Sequence, residues 1–229
     1  MKICGLQKMT LLDYPGQVAC TVFLGGCDMR CPFCHNAEIL DPSAPSATEE
    51  EELLAFLQSR KGMLDGVVIT GGEPLMHEEL PSLLQKIRGM GFLIKVDTNG
   101  NHPEMLRDIL NDGLADYVAM DIKNSPERYG ATVGLPAFRT GRIEQSIRIL
   151  LEGSVPCEFR TTVVRPLHDA SSFAAIGPWI RGAERYYLQP FTDRDTVPFS
   201  GLETPSGEEL EHYVKIVEPY VKKAAIRGL

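Results

Sequence analysis

Short apolar runs rich in β-branched residues recur along the chain, each followed by a stretch with helical spacing. Residues 18–24, 66–70, 92–96, 116–122, 157–164 and 185–188 read as strands, since each run is too short for a helix and is bounded by turn residues. One helix opens at Thr48, whose hydroxyl is placed to cap it. Glu49, Glu50, Glu51 and Glu52 follow at the positive end of the helix dipole, and Leu53, Leu54 and Leu57 form the apolar face. Further helices are predicted over 78–88, over 103–111 with Pro103 in the first turn, and over 142–151, 171–180 and 206–221. Residues 1–17 read as a short N-terminal extension with a turn at Pro15 and Gly16, and residues 42–47 as a Pro-, Ser- and Ala-rich linker within one domain.

Strand–helix alternation of this kind predicts a parallel sheet with helices outside it. An open doubly wound sheet and a barrel both satisfy the pattern. A full eight-unit barrel takes ~250 residues, and 229 residues leave room for about six units. The unusual polar clusters choose between the two. Each falls at or just beyond the C-terminal end of a predicted strand: Cys27 to Cys34, then Gly71-Gly72-Glu73-Pro74, Asp97-Thr98-Asn99-Gly100, Asp121 with Lys123, Arg160 and Gln189. In a barrel these ends share the face that carries the active site. The predicted fold is therefore α/β, a partial (β/α)6 TIM-type barrel, as a single domain over 1–229.

Composition narrows the function classes. Hydrophobic residues make up 43% and charged residues 24%, ordinary for a globular protein, and the net charge of -8 argues against non-specific nucleic-acid binding. No apolar run approaches the ~18 residues of a membrane span, and no long apolar segment follows Lys2 as in a secretory leader. These features predict a cytoplasmic protein, where thiols stay reduced, so the six cysteines are not read as a disulfide framework. Cys4, Cys20 and Cys157 are scattered and read as small core residues, as do Phe173 and Trp179 on their helix.

Cys27, Cys31 and Cys34 are clustered at spacings of four and three in one loop, which suits metal ligation. A structural zinc site takes four protein ligands and an Fe–S cluster usually four thiolates, so the fourth ligand is either distant or not protein, unless the three form a redox thiol group. His35 directly follows Cys34 and reads as structural. The diglycine at Gly71 and Gly72 is either a tight turn or a place where a ligand approaches the backbone, with Glu73 available to a ligand ammonium. Asp97 and Asp121 either merely cap helices or, paired across adjacent strands, suit a ribose hydroxyl or a hard cation. If the strand continues, Lys123 shares a face with Asp121, as a ligand contact or an internal ion pair. Arg160 suits a ligand carboxylate or a structural salt bridge. Gln189 either receives a ligand edge or ends a strand.

The loop Cys27-x3-Cys31-x2-Cys34, with Phe33 before its last cysteine and Gly71-Gly72-Glu73-Pro74 at the next strand end, resembles the signature of the radical S-adenosylmethionine enzymes. Gly5 to Lys8, Leu12 to Gly16 and Cys34-His35-Asn36 resemble the activating proteins of anaerobic ribonucleoside-triphosphate reductase. Asp97 to Gly100, Asp121 to Lys123 and Phe159 to Val164 are similar to the activase of pyruvate formate-lyase. The resemblance implies a six-unit partial barrel. It implies a [4Fe–4S] cluster on Cys27, Cys31 and Cys34, its fourth iron chelated by the amino and carboxylate groups of S-adenosylmethionine. It further implies adenine contact by the Phe33 backbone, and a methionine ammonium held by Gly71, Gly72 and Glu73. Asp97, Asp121 and Lys123 fall to the ribose and carboxylate, and Arg160 to the carboxylate. A monovalent cation beside Asp97 and Asp121 is also implied, as in the formate-lyase activase. The implied reaction is reductive cleavage of S-adenosylmethionine to a 5′-deoxyadenosyl radical, which abstracts hydrogen from a backbone glycine of a glycyl-radical enzyme. Electrons would come from a flavodoxin or ferredoxin. The alternatives are a radical enzyme with a small-molecule substrate, such as a deazapurine carboxylate, and a non-catalytic Fe–S or zinc module. Two features depart from or bound the pattern: Thr192 stands where the formate-lyase activase has a histidine, and no extra cysteine pairs exist for a second cluster.

Overall fold

Residues 67–69 are apolar at every position because they are buried on both faces of the sheet, and each is fully inaccessible. That burial pattern organises the computed structural model, which describes residues 1–41, 43–153 and 155–228; Pro42, assigned to the linker, lies outside them. The chain divides into two compact units, one of Met1–Asp28, Glu38–Thr98 and Glu104–Val118, the other of Met29–Ala37, Asn99–Pro103 and Ala119–Leu229.

In the first unit β1 (Ile3–Thr10) pairs antiparallel with β2 (Ala19–Leu24). After α1 (Glu50–Ser59), β3 (Gly66–Gly71) lies parallel to β2; after α2 (Leu80–Gly89), β4 (Leu93–Thr98) lies parallel to β3. Then come α3 (Pro103–Asn111) and β5 (Tyr117–Asp121), along which the chain passes into the second unit. There it continues as α4 (Tyr129–Thr132), α5 (Gly141–Glu152), β6 (Cys157–Val163), α6 (Ala170–Trp179), β7 (Tyr186–Pro190), α7 (Gly207–Val217) and β8 (Ala224–Ile226), with β6, β7 and β8 parallel neighbours.

The six predicted strand–helix units are all present in order. Three differences have physical causes. Residues 3–10, expected only as part of an extension, form a strand whose half-exposed side chains hide the apolar pattern; Tyr14 beyond it turns inward against Ala19, Val68 and Tyr117. Thr48 is not the cap of α1. Its backbone bridges to Ile3, its hydroxyl donates to Glu52 at 2.8 Å, and Glu49 takes the cap position. The last helix stops at Val217, where Pro219 converts the chain to a 3-10 turn. The short strand β8 follows. Arg227 just after it grips the buried Glu158 carboxylate through two bonds of 2.6 and 2.8 Å and lies 3.7 Å over the Tyr187 ring. Phe173 is buried, Trp179 half-buried. Among the described residues no helix is long and apolar enough to cross a membrane.

Candidate active site

The site residues of the first unit are tied to the end of β2. Gly25 and Gly26 continue from that strand, their N–H groups donating to Lys2 and Ile39 at 3.0 and 2.7 Å. Cys27 follows, its sulfur 4.0 Å from an Asp28 carboxylate oxygen. The segment after β3 is laced onto the same stretch: the Gly72 N–H donates to Leu24 and the Glu73 N–H to Gly26, both at 2.8 Å. The approach explains the diglycine. Gly71 has a φ of +117°, and a Cβ on Gly72 would lie 1.8 Å from the Gly26 carbonyl oxygen. What comes close to this backbone is the start of the cysteine loop, which leaves no room for a side chain at either glycine. Glu73 is fully buried; one carboxylate oxygen accepts from the Leu75 N–H at 3.0 Å and from the Thr98 hydroxyl at 2.7 Å. It caps the 3-10 turn Pro74–Met76.

Asp97, near the end of β4, forms an ion pair with Lys95, a lysine only 1% exposed. The sequence reading passed over Lys95. The signal was there: a lone cation in a buried strand, two residues from Asp97 and therefore on the same face.

The second unit holds Cys31, Phe33 and Cys34. The Cys34 N–H donates to the Cys31 carbonyl at 3.2 Å, closing a turn. The Arg30 N–H donates to Val133 at 2.9 Å, fixing the loop to the end of α4. Phe33 is buried. His35 lies against Phe191 with near-parallel rings at 5.8 Å, and its Nε2 is 2.7 Å from the Thr192 carbonyl oxygen. It holds the loop at the position where the resembled family differs.

Asp121, Lys123 and Arg160 form one charge cluster. Lys123 Nζ donates to one Asp121 oxygen at 2.9 Å and Arg160 Nε to the other at 3.0 Å. The internal-pair readings of both cations are thus realised. Burial disfavours ionisation of Asp121, but Arg160 and Lys123 outweigh it and hold its pKa well below the usual carboxylate range. Burial likewise opposes the charge of Lys123, and Asp121 more than compensates, raising its pKa. Burial pushes the Cys31 thiol up to about 11 against the pull of the Lys123 ammonium. Cys34 is also raised by burial, with an Asn36 backbone N–H at its sulfur acting in the opposite sense. His168, also missed from sequence, holds the turn below this cluster: its Nε2 is 2.8 Å from the Lys123 carbonyl. Gln189 is half-buried in β7 beside Thr162.

All six cysteines are free thiols. Among the described residues no three His, Cys, Asp or Glu side chains are gathered closely enough to hold a metal ion. The donor type nevertheless suits an Fe–S cluster: three sulfur side chains close in sequence on one loop, the ligand type such clusters take.

Comparison with known proteins agrees. Residues 21–171, well over half of the chain, match the family model described as Radical SAM superfamily. A protein of Methanocaldococcus jannaschii, provisionally named glycyl-radical enzyme activating enzyme, is 30% identical over 99% of this chain and 96% of its own length. A 7-carboxy-7-deazaguanine synthase of Thermococcus kodakarensis is 30% identical over 57% of this chain and 58% of its own. In structure, a domain of pyruvate-formate lyase-activating enzyme from Bacteroides vulgatus superposes with a TM-score of 0.59 at 23% identity, covering 71% of this chain and 99% of that domain.

Proposed function

The chain belongs to the radical SAM superfamily, and on that premise we propose that it is an activase of a glycyl-radical enzyme of the anaerobic ribonucleotide reductase kind. Its fold is the α/β partial barrel of that superfamily, it is an oxidoreductase, and the superfamily's cofactors are a [4Fe–4S] cluster and S-adenosylmethionine. The observation that carries the proposal is the match over essentially the whole chain to a relative named as an activating enzyme, where the deazaguanine synthase matches little more than half.

In this reading 1–229 act as one radical SAM domain, and Cys27, Cys31 and Cys34 hold the cluster. The chemistry supplied by the bound cofactors is one-electron cleavage of the sulfonium to methionine and a 5′-deoxyadenosyl radical, which takes a hydrogen atom from the substrate. The chain's own residues orient the nucleoside and its amino-acid part. Gly71, Gly72 and Glu73 offer acceptors to the ammonium, since the N–H groups of Gly72 and Glu73 are already engaged. Phe33 contributes backbone to the adenine. Asp97, Asp121 and Lys123 address the ribose and carboxylate, with Arg160 behind Asp121. A monovalent cation at Asp97 or Asp121 would compete with the lysine each already pairs with. Glycine suits the substrate role because no side chain shields its Cα–H and its backbone bends freely. The electron donor is a flavodoxin or ferredoxin, and the setting is the reducing cytoplasm.

The test is anaerobic. After reconstitution with iron and sulfide, the protein with dithionite and S-adenosylmethionine should release 5′-deoxyadenosine and generate a glycyl radical, seen by electron paramagnetic resonance, on a candidate reductase. Deuterium on that glycine should appear in 5′-deoxyadenosine. Product formed only with a deazapurine precursor, and no protein radical, would move the assignment to the small-molecule reading favoured by the synthase match.

A further inference from the structure

Within the second unit the stretch that follows β5 is pinned residue by residue. The Ile122 N–H donates to the Arg160 carbonyl at 2.7 Å, and the Thr161 hydroxyl donates to the Ile122 carbonyl at 2.6 Å. The Lys123 carbonyl can only accept, so His168 donates to it through Nε2 at 2.8 Å, which leaves Nδ1 to accept the Val164 N–H at 3.1 Å. Asn124 comes next and is fully buried. Its Oδ1 accepts the Ser125 N–H at 2.7 Å, while Nδ2 donates to the Leu167 carbonyl at 2.9 Å and to the Thr132 hydroxyl at 2.8 Å. Both Nδ2 protons and the oxygen are used, which fixes the orientation of the amide.

Thr132 is the last residue of α4 and is 1% exposed. Its hydroxyl accepts from Asn124 and donates to the Arg128 carbonyl at 2.9 Å. The next residue, Val133, accepts the Arg30 N–H at 2.9 Å, and a Cβ on Gly134 would lie 2.3 Å from the Arg30 carbonyl oxygen. Arg30 immediately precedes Cys31. A run of hydrogen bonds through Asn124 and Thr132 therefore joins the backbone of Lys123 to that of the cysteine loop. A buried polar network whose members are all satisfied is rigid.

We infer that Asn124 is a positioning residue, which through Thr132 fixes the place of Lys123 relative to the Cys31 corner of the site. This rests on the reading of Lys123 as a contact of S-adenosylmethionine and of Cys31 as a cluster ligand. A ligand held at one end by the cluster and addressed at the other by Lys123 binds well only where the two stay in register. Asn124 touches neither, so its effect falls on affinity rather than on cluster assembly.

The test uses Thr132→Val, which removes the hydroxyl at nearly constant shape, and Thr132→Ser, which keeps it. In the metal-free protein, hydrogen exchange of the Arg30 amide should quicken in Thr132→Val and stay as in wild type in Thr132→Ser. The Phe159 and Tyr186 amides, bonded at 3.0 and 2.9 Å elsewhere in the unit, should be unchanged in both. After reconstitution, wild type and variants should hold equal iron and sulfide. Binding of S-adenosylmethionine, read from the electron paramagnetic resonance of the reduced cluster, should weaken about 10-fold in Thr132→Val, the scale of effect seen when a group that orients a ligating residue is lost, and recover in Thr132→Ser. Asn124→Asp, which keeps the acceptor for Ser125 but loses both donors, should weaken it likewise. Unchanged affinity in Thr132→Val, or exchange that quickens across the whole unit, overturns the inference while leaving the activase reading intact. Failure of the wild-type protein to take up iron and sulfide, or to bind S-adenosylmethionine once it has, brings down both.

Discussion

Gly72→Ala is the sharpest perturbation the structure offers. The added methyl carbon would lie 1.8 Å from the Gly26 carbonyl oxygen and 2.6 Å from its carbon. Relief requires the two backbones to part by about 1.7 Å, because the contact now at 1.8 Å would settle near ~3.5 Å between nonbonded heavy atoms. The Glu73 N–H to Gly26 bond, 2.8 Å now, would stretch beyond hydrogen-bond range, and the Gly72 N–H to Leu24 bond would be strained with it. Each lost bond costs about 1 kcal/mol net, more where a group is left unsatisfied, and overpacking adds about 1–3 kcal/mol. The expected loss is about 3–5 kcal/mol, a large share of the stability of a typical domain. Urea unfolding of the metal-free protein, followed by circular dichroism, measures it. Gly89→Ala is the control: nothing lies within 4 Å of its Cβ and its φ is not positive, so it should be neutral or stabilise by about 0.5 kcal/mol. If Gly72→Ala stays within about 1 kcal/mol of wild type, the glycine is not required by the loop crossing. A role confined to holding a ligand would leave the metal-free protein unaffected, so the same measurement separates the two uses of the residue.

Three further outcomes follow from the buried charges. Asp97→Ala should destabilise more than Lys95→Met, about 3–4 against about 1–2 kcal/mol, because it strands an ammonium whose side chain is 1% exposed, whereas Asp97 is 14% exposed; the reverse order in denaturant titrations contradicts this. Asp121→Asn should cost about 2 kcal/mol at neutral pH, the modest figure reflecting a side chain 29% exposed. Since the folded-state pKa of Asp121 is lowered, its contribution is complete above the unfolded value of about 3.9 and is lost as pH falls through the folded value. Acid titration should therefore show a shallower fall for the variant than for wild type. Arg227→Ala should cost about 3 kcal/mol by removing both bonds to the buried Glu158 and the contact over Tyr187; Arg227→Lys should recover less than half, since an ammonium cannot reproduce the planar fork. Thermal melts of the two variants decide it.

Much of the fold was readable because parallel strands buried on both faces must be apolar throughout, as in Val67, Val68 and Ile69. The same logic explains the misses. β1 is half exposed and carries Gln7 and Lys8, β8 has three residues, and α4 has a single turn, so none develops a periodicity to detect. In the site, the partnership of Asp121 with Lys123 was visible from their spacing of two, although the strand ends at Asp121 and Lys123 reaches back to it from just beyond. That Arg160 takes the second Asp121 oxygen was not, since it depends on how β6 is placed against the end of β5. Asn124 sits in a polar stretch with no pattern to mark it, and only its burial makes it noticeable.

The diglycine shows how a functional motif can be dictated by folding first. Gly71 and Gly72 are small because the cysteine loop starts against them, and Glu73 is buried because it caps the turn that follows. Asp97 is already held by Lys95 of its own strand, and Asp121 by Lys123 just beyond its strand and by Arg160 of β6. Groups fixed in this way lose little conformational freedom when a ligand arrives, so more of the interaction energy remains for binding. Their engagement in the free protein therefore supports preorganisation rather than arguing against a ligand role.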